Sequence, residues 1–172
     1  MDLSNSISVA SQFTAGFESF SASPYWDVNG YAIGYGNHYY EDGSAVSADD
    51  DPISQDDATA LLNFYLLQNA NAILAQVTAP LTDNQLAALT DIRYRCGTIT
   101  TALLNLINSG ADPATVGDQI SITCITVNGI QDAGEQARAD AESGLYQEAS
   151  GLSGNTILIG AALILGGILL LD

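Results

Sequence analysis

Two carboxylates inside a run of glycine and tyrosine mark the part of this sequence that could do chemistry. Glu18 lies in Gly16-Phe17-Glu18-Ser19-Phe20. Asp27 follows, with eight residues between, in Tyr25-Trp26-Asp27-Val28-Asn29-Gly30-Tyr31-Ala32-Ile33-Gly34-Tyr35-Gly36-Asn37. Glu18 closes an apolar helical stretch and Asp27 opens a hairpin, so acids from different elements can face one cleft. Cleavage of a glycosidic bond calls for such a pair: one carboxylic acid held protonated in an apolar setting, the other held ionised in a polar loop. Phe17 and Phe20 would give Glu18 a desolvating surround, and Asn29 with the hairpin amides would solvate Asp27. Either acid alone, without the surrounding pattern, reads as a helix-end or turn residue.

The elements that must hold these groups follow from the pattern around them. Ile7, Ala10, Phe13, Phe17 and Phe20 recur at helical spacing after Ser4 to Ser6, which predicts an amphipathic helix capped by a serine and ending near Phe20. Residues 24–40, with Asn29-Gly30, predict a hairpin and a small antiparallel sheet. Ser54 begins a long helix with Asp56 and Asp57 in its first turn. Thr82 caps the next, which stops at Gly97. A shorter helix covers about 99–108, a helical turn follows Asp112-Pro113, and Asn128-Gly129 turns the chain into a last helix over about 131–149. One helix, a small sheet and then helices make an α+β domain.

With those residues in place the sequence resembles the phage-type lysozymes, glycoside hydrolase family 24. Their signature is Gly-Phe-Glu or a similar triplet, eight residues, Asp, a glycine-containing turn and Thr-Ile-Gly-Tyr-Gly-His. Glu18, Asp27, Gly30, Ile33, Gly34, Tyr35 and Gly36 match it. Downstream, Ile53-Ser54-Gln55-Asp56-Asp57-Ala58 is similar to the family's second-helix start. The stretch from Leu81 to Leu89 is similar to the helix before its Asn-x-Gly segment, which here reads Arg95-Cys96-Gly97. Ala137-Arg138-Ala139-Asp140-Ala141-Glu142 resembles its closing Arg-Arg-x-x-Glu helix with cations missing. The resemblance spans roughly residues 8–150.

It implies a lysozyme-like fold of N-terminal helix, small antiparallel hairpin sheet and helical C-terminal lobe. Glu18 would be the general acid and Asp27 the group that positions or activates water, with inversion at the anomeric carbon. The substrate would be the β-1,4 bond from N-acetylmuramic acid to N-acetylglucosamine in peptidoglycan glycan strands. Tyr31, Tyr35, Asn37 and His38 are candidates for substrate binding, and neither a cofactor nor a metal is implied. Two departures stand out. Ala32 replaces the family's water-holding Thr, with the turn from Asp27 one residue shorter, and Asn37 replaces its His, followed by His38. A methyl cannot orient water, so the reaction would rely on Asp27 alone or on another hydroxyl such as that of Tyr31 or Tyr35.

Composition narrows the partners. Twenty acidic side chains face only Arg93, Arg95 and Arg138, for a net charge of −17. Binding nucleic acid by neutralising phosphates, or adhering to anionic headgroups, needs clustered cations that this chain lacks. The run Asp49-Asp50-Asp51 has no EF-hand spacing and reads as a solvated loop. Cys96 and Cys124 lie in apolar stretches and read as two small buried hydrophobes rather than a disulfide.

Residues 156–171 carry no charge and read as a hydrophobic helix, transmembrane or anchored in an assembly, behind a flexible linker over 151–155 and a lysozyme-like domain over 1–150. Met1 to Asn5 lack the features of a secretory signal. A C-terminal anchor leaves the domain on the side where it was made, whereas peptidoglycan lies outside the cytoplasm. The expectation is therefore a membrane-associated muramidase carried in a phage virion for cell-wall penetration. The alternatives are a membrane-tethered endolysin for host lysis and a lysozyme-fold structural protein that has lost catalysis.

Overall fold

A computed structural model describes residues 3–148. Within that range a first helix, α1 (Ser4–Phe17), leads into an antiparallel hairpin, β1 (Ser21–Asp27) and β2 (Gly30–Gly34), and then into α2 (Gln55–Leu74), α3 (Asp83–Cys96), α4 (Thr101–Asn108) and α5 (Pro113–Ile120). A second small hairpin, β3 (Thr126–Val127) and β4 (Ile130–Gln131), precedes α6 (Ala133–Gln147). This is the expected lysozyme-like α+β arrangement. The linker over 151–155 and the apolar segment over 156–171 lie outside the described residues. Among the described residues, no helix is long and apolar enough to cross a membrane.

The helix boundaries follow their caps. Ser54 accepts from the Asp57 amide, and Thr82 forms a reciprocal capping box with Gln85. Asp112 caps α5 ahead of Pro113, Asp132 caps α6, and α3 ends on Gly97 in the left-handed conformation. The first helix differs from expectation. It begins at Ser4, with Leu3 at the N-cap and no side-chain cap, and it stops at Phe17 rather than near Phe20. Within the Ser4 to Ser6 stretch expected to cap it, Ser6 does other work: it donates to Asp83 at 2.6 Å and ties α1 to the start of α3.

The core is built around α3, where Leu86 to Ile92 are all buried and α1, α2 and α6 pack around it. Such a helix is walled in on every side, so its one acid in that run, Asp91, has to find partners inside the protein. Helix α2 contributes Leu62, Leu66, Ala70 and Ile73, each fully buried. Cys96 at the end of α3 and Cys124 before β3 form a disulfide across 28 residues, which corrects the reading of them as separate apolar residues. Closing a loop of that length contributes about 3.6 kcal/mol by restricting the unfolded chain.

The first hairpin turns on Val28-Asn29, with Asp27 opposite Gly30 and Trp26 opposite Tyr31. Asn29-Gly30 thus marks the turn, while Gly30 itself has entered the strand. In the second hairpin Asn128 and Gly129 are the two turn residues, at φ 52° and 78°. The first hairpin seats on α2 through Gly34, whose φ is 66° and where an added Cβ would stand 3.1 Å from the Cβ of Ala58. Neither methyl could move without its backbone. Gly34→Ala is expected to cost about 1 to 3 kcal/mol from the left-handed φ and this contact, lowering the thermal midpoint by roughly 2 to 4 °C per kcal/mol; an unchanged melting curve would contradict this seating.

Candidate active site

The site begins where α1 ends. Glu18 leaves the helix with extended torsions while its amide still bonds Thr14 O. One turn earlier the Thr14 hydroxyl donates to Asp91 Oδ1 at 2.7 Å, fastening the last turn of α1 to α3. Asp91 in turn takes a double hydrogen bond from Arg138 of α6, Nε to Oδ2 at 2.9 Å and Nη2 to Oδ1 at 2.7 Å. The remaining face of the guanidinium reaches Glu18, Nη1 to Oε1 at 2.6 Å. It also lies over the Phe17 ring, 5.4 Å from the centroid. Burial works against the charge of Arg138, but Asp91 and Glu18 outweigh it and hold the guanidinium more firmly protonated than usual. The surround of Glu18 is therefore an arginine and not the pair of phenylalanines: Phe17 and Phe20 are 40% and 38% exposed.

Behind this group stands a second arginine. Arg95 donates Nε and Nη2 to the two oxygens of Glu142, at 3.1 and 2.7 Å, and Nη1 to Glu135 and to the Cys124 carbonyl. Glu142 is fully buried. Its burial, helped by the neighbouring Asp91, pushes the carboxyl up to about 8 against the pull of Arg95.

Asp27 closes β1. Its Oδ1 accepts from the Val28 amide at 2.8 Å, and its Oδ2 lies 3.4 Å from Nε2 of His38. Tyr25 of the same strand stands near both acids: burial raises its phenol, and Asp27 and then Glu18 raise it further. Gly36 passes close to the other oxygen of Glu18, since a Cβ there would be 3.8 Å from Oε2 and 4.0 Å from the Tyr25 hydroxyl. A cleft of about 780 Å³ brings these groups together, lined by Glu18, Asp27, Tyr25, Gly36, Tyr94 and all three arginines among others.

Of the residues expected at a substrate, Tyr35, Asn37 and His38 line this cleft and Tyr31 does not. Tyr31 is paired across the hairpin with Trp26, packs edge-on against it at 5.3 Å and joins the small apolar cluster of Ile33, Val46 and Leu61. Tyr35 is 5% exposed; its hydroxyl accepts from Gln55 and its carbonyl from Tyr94. Asn37 pairs its backbone with Ile33 in both directions, and its buried Oδ1 has no hydrogen-bond partner among the described residues. Ala32 is fully buried in β2 opposite Tyr25, outside the cleft lining. Tyr39 lines the cleft and is half exposed, whereas the Tyr40 hydroxyl turns away to Asp50. Among the described residues, no group of His, Cys, Asp and Glu is arranged to hold a metal ion.

Sequence reasoning did not single out Asp91, Arg138, Tyr25 or Tyr94 for this site. The available signal was scarcity: a chain with three cations and twenty acids that places two of the cations in its only Arg-rich stretch and one in the last helix is spending them somewhere particular.

The phage lysozyme family matches residues 15–142. No curated protein matches the sequence. Among solved structures the chain is similar to an endolysin from Escherichia coli O157:H7 phage FAHEc1, at 22% identity and a TM-score of 0.71 over 88% of this chain and 97% of the other. It is similar to the muramidase domain of SpmX from Asticaccaulis excentricus at 23% identity and a TM-score of 0.66, over 81% and 95% of the two chains. A P22 lysozyme mutant gives 23% identity and a TM-score of 0.68, over 84% and 97%. At these identities the structures speak for the fold.

The buried Glu142 makes stability depend on pH. Folded, it keeps its proton up to about 8; unfolded, it loses it in the ordinary carboxyl range. Its contribution is complete below that range and is lost as pH rises towards about 8. Relative to Glu142→Gln, the parent is expected to lose roughly a few kcal/mol of unfolding free energy between pH 5 and 8. Urea unfolding of both proteins across that interval measures it, and a difference independent of pH would show that Arg95 holds Glu142 ionised throughout.

Proposed function

The chain belongs to the phage lysozyme family, and from that premise we propose that Glu18 and Asp27 are its acid and its water-directing carboxylate. A member of this family is a glycosidase, and peptidoglycan is the family's substrate. What carries the assignment of roles is that Glu18, from the end of α1, and Asp27, from the end of β1, share one cleft with a tyrosine whose phenol feels both.

The chemistry follows from the contacts. A guanidinium donates and never accepts, so the Glu18 oxygen that it touches, Oε1, serves as an acceptor. A proton for delivery would be carried on Oε2, the oxygen facing Gly36 and the open cleft. Arg138 fixes the carboxyl plane and Asp91 fixes Arg138, so the acid is aimed before substrate arrives. Asp27 is held at Oδ1 by its own hairpin and presents Oδ2 to the cleft. With the acid on the leaving oxygen and water directed from the Asp27 side, the reaction inverts the anomeric centre of N-acetylmuramic acid. Asn37 lines the cleft, and Tyr39 supplies an exposed ring to the same lining, suited to packing on a sugar face.

The setting is proposed to be a virion. The lysozyme-like domain over 1–150 would be tethered by the linker over 151–155 to an apolar helix over 156–171, seated in a virion membrane or tail assembly and brought to the wall at infection. The uncharged composition of that segment supports this reading.

Two measurements test these proposals. The parent is expected to clear a suspension of purified peptidoglycan, and Glu18→Gln to lower kcat about a thousandfold with its fold intact; an inactive parent across low and high salt would overturn the assignment. The full chain is expected to co-purify with intact phage particles, and recovery only in the soluble lysate would favour a role in lysis instead.

A further inference from the structure

The reading of Asp27 leaves a gap, because no hydroxyl stands where the family has its water-holding threonine. Ala32 at that place is buried in β2, the hydroxyl of Tyr35 accepts from Gln55, and Tyr31 lies outside the cleft lining. What does face Asp27 is an imidazole. His38 is held on two sides: its carbonyl accepts from the Val46 amide at 2.9 Å, and its Nδ1 lies 3.0 Å from the Tyr31 carbonyl. A carbonyl oxygen can only accept, so the hydrogen sits on Nδ1 and the lone pair of the neutral ring is on Nε2. In that neutral form Nε2 faces Oδ2 of Asp27 across 3.4 Å.

Two acceptors so placed repel each other unless something donates to both. One water does so: at about 2.8 Å from each, it forms the apex of a triangle whose base is the gap between Nε2 and Oδ2. Both side chains are part exposed, at 35% and 44%, so water reaches this point, and both line the cleft that contains Glu18.

We propose that His38 and Asp27 together hold the attacking water, with His38 Nε2 receiving its proton. The water oxygen bonds to the anomeric carbon while one of its protons passes to Nε2. The bond to the glycosidic oxygen breaks, and that oxygen takes the proton of Glu18. Glu18 ends as a carboxylate and His38 as an imidazolium whose new N–H faces Asp27 Oδ2. Loss of that proton to solvent and uptake of one by Glu18 restore the starting state. The hydroxyl missing at Ala32 is replaced from the segment after β2 by a group that both orients water and takes up its proton.

The proposal rests on the roles given to Glu18 and Asp27, and the test separates the two. Peptidoglycan hydrolysis is measured for the parent, Glu18→Gln, His38→Ala and His38→Gln, with kcat and KM resolved and with imidazole added to each. The expected result is that His38→Ala lowers kcat about a hundredfold with KM within about twofold. Added imidazole, entering the part-exposed space left by the ring, should restore a measurable share of kcat to His38→Ala and none to Glu18→Gln. His38→Gln keeps an acceptor without a base; it should fall between parent and His38→Ala, and it carries the test by its kcat alone should the alanine variant fail to fold. An active parent whose His38 variants keep kcat within twofold, or lose activity through KM with no response to imidazole, would overturn the proposal and leave the roles of Glu18 and Asp27 standing. An inactive parent, or a Glu18→Gln variant as active as the parent, would remove both.

Discussion

Everything at the site hangs on one buried ion pair, Asp91 with Arg138. A carboxylate at 0% exposure would be intolerable alone, and a guanidinium at 7% nearly so. Together, with Thr14 donating to the same acid, they leave each other's polar atoms satisfied and one guanidinium face to spare. That spare face defines where Glu18 sits. Such a pair adds little stability over a well-packed apolar equivalent, since its attraction is offset by the water both groups give up. What it adds is specificity: a docking of α1, α3 and α6 that separated the pair would leave a charge buried without its partner.

The same economy governs charge over the whole chain. With three cations available, the fold places all three around the cleft and leaves the remaining surface to carboxylates. The cleft lining thus holds every cation of a strongly negative body, alongside Glu18, Asp27, Asp132 and Glu135. A polyanionic wall polymer is repelled by this surface, and the long-range part of that repulsion fades as salt shortens the screening length to about 10 Å near 0.1 M.

Much of this was legible in the sequence, and the limits have physical reasons. The Glu18 and Asp27 spacing, the caps at Ser54, Thr82, Asp112 and Gly97, and the turn at Asn128-Gly129 are local signals, written within a few residues of the structure they specify. What was missed is non-local. The Cys96–Cys124 disulfide depends on how α4 and α5 fold back, which no property of either cysteine reveals. Phe17 and Phe20 were expected to surround Glu18, but α1 stops at Phe17, so the chain turns extended and exposes both rings while an arginine from the far end of the fold takes their place. Tyr31 reads as a cleft residue until the turn is placed on Val28-Asn29, which sets it opposite Trp26. His38 looks like a family histidine displaced by one position; only the geometry shows that it has found Asp27.

The bond between Arg138 and Glu18 joins residues 120 positions apart in the sequence. The acid and its hairpin leave the ribosome early, but the arginine that orients them arrives only with the last described helix, seconds later at typical rates of about 5 to 20 residues per second. Until then Asp91 has no counter-ion and α3 cannot bury it. Assembly of the cleft geometry is thus deferred until α6 is made, and a nascent or truncated chain lacking α6 holds Glu18 without the arginine that fixes it.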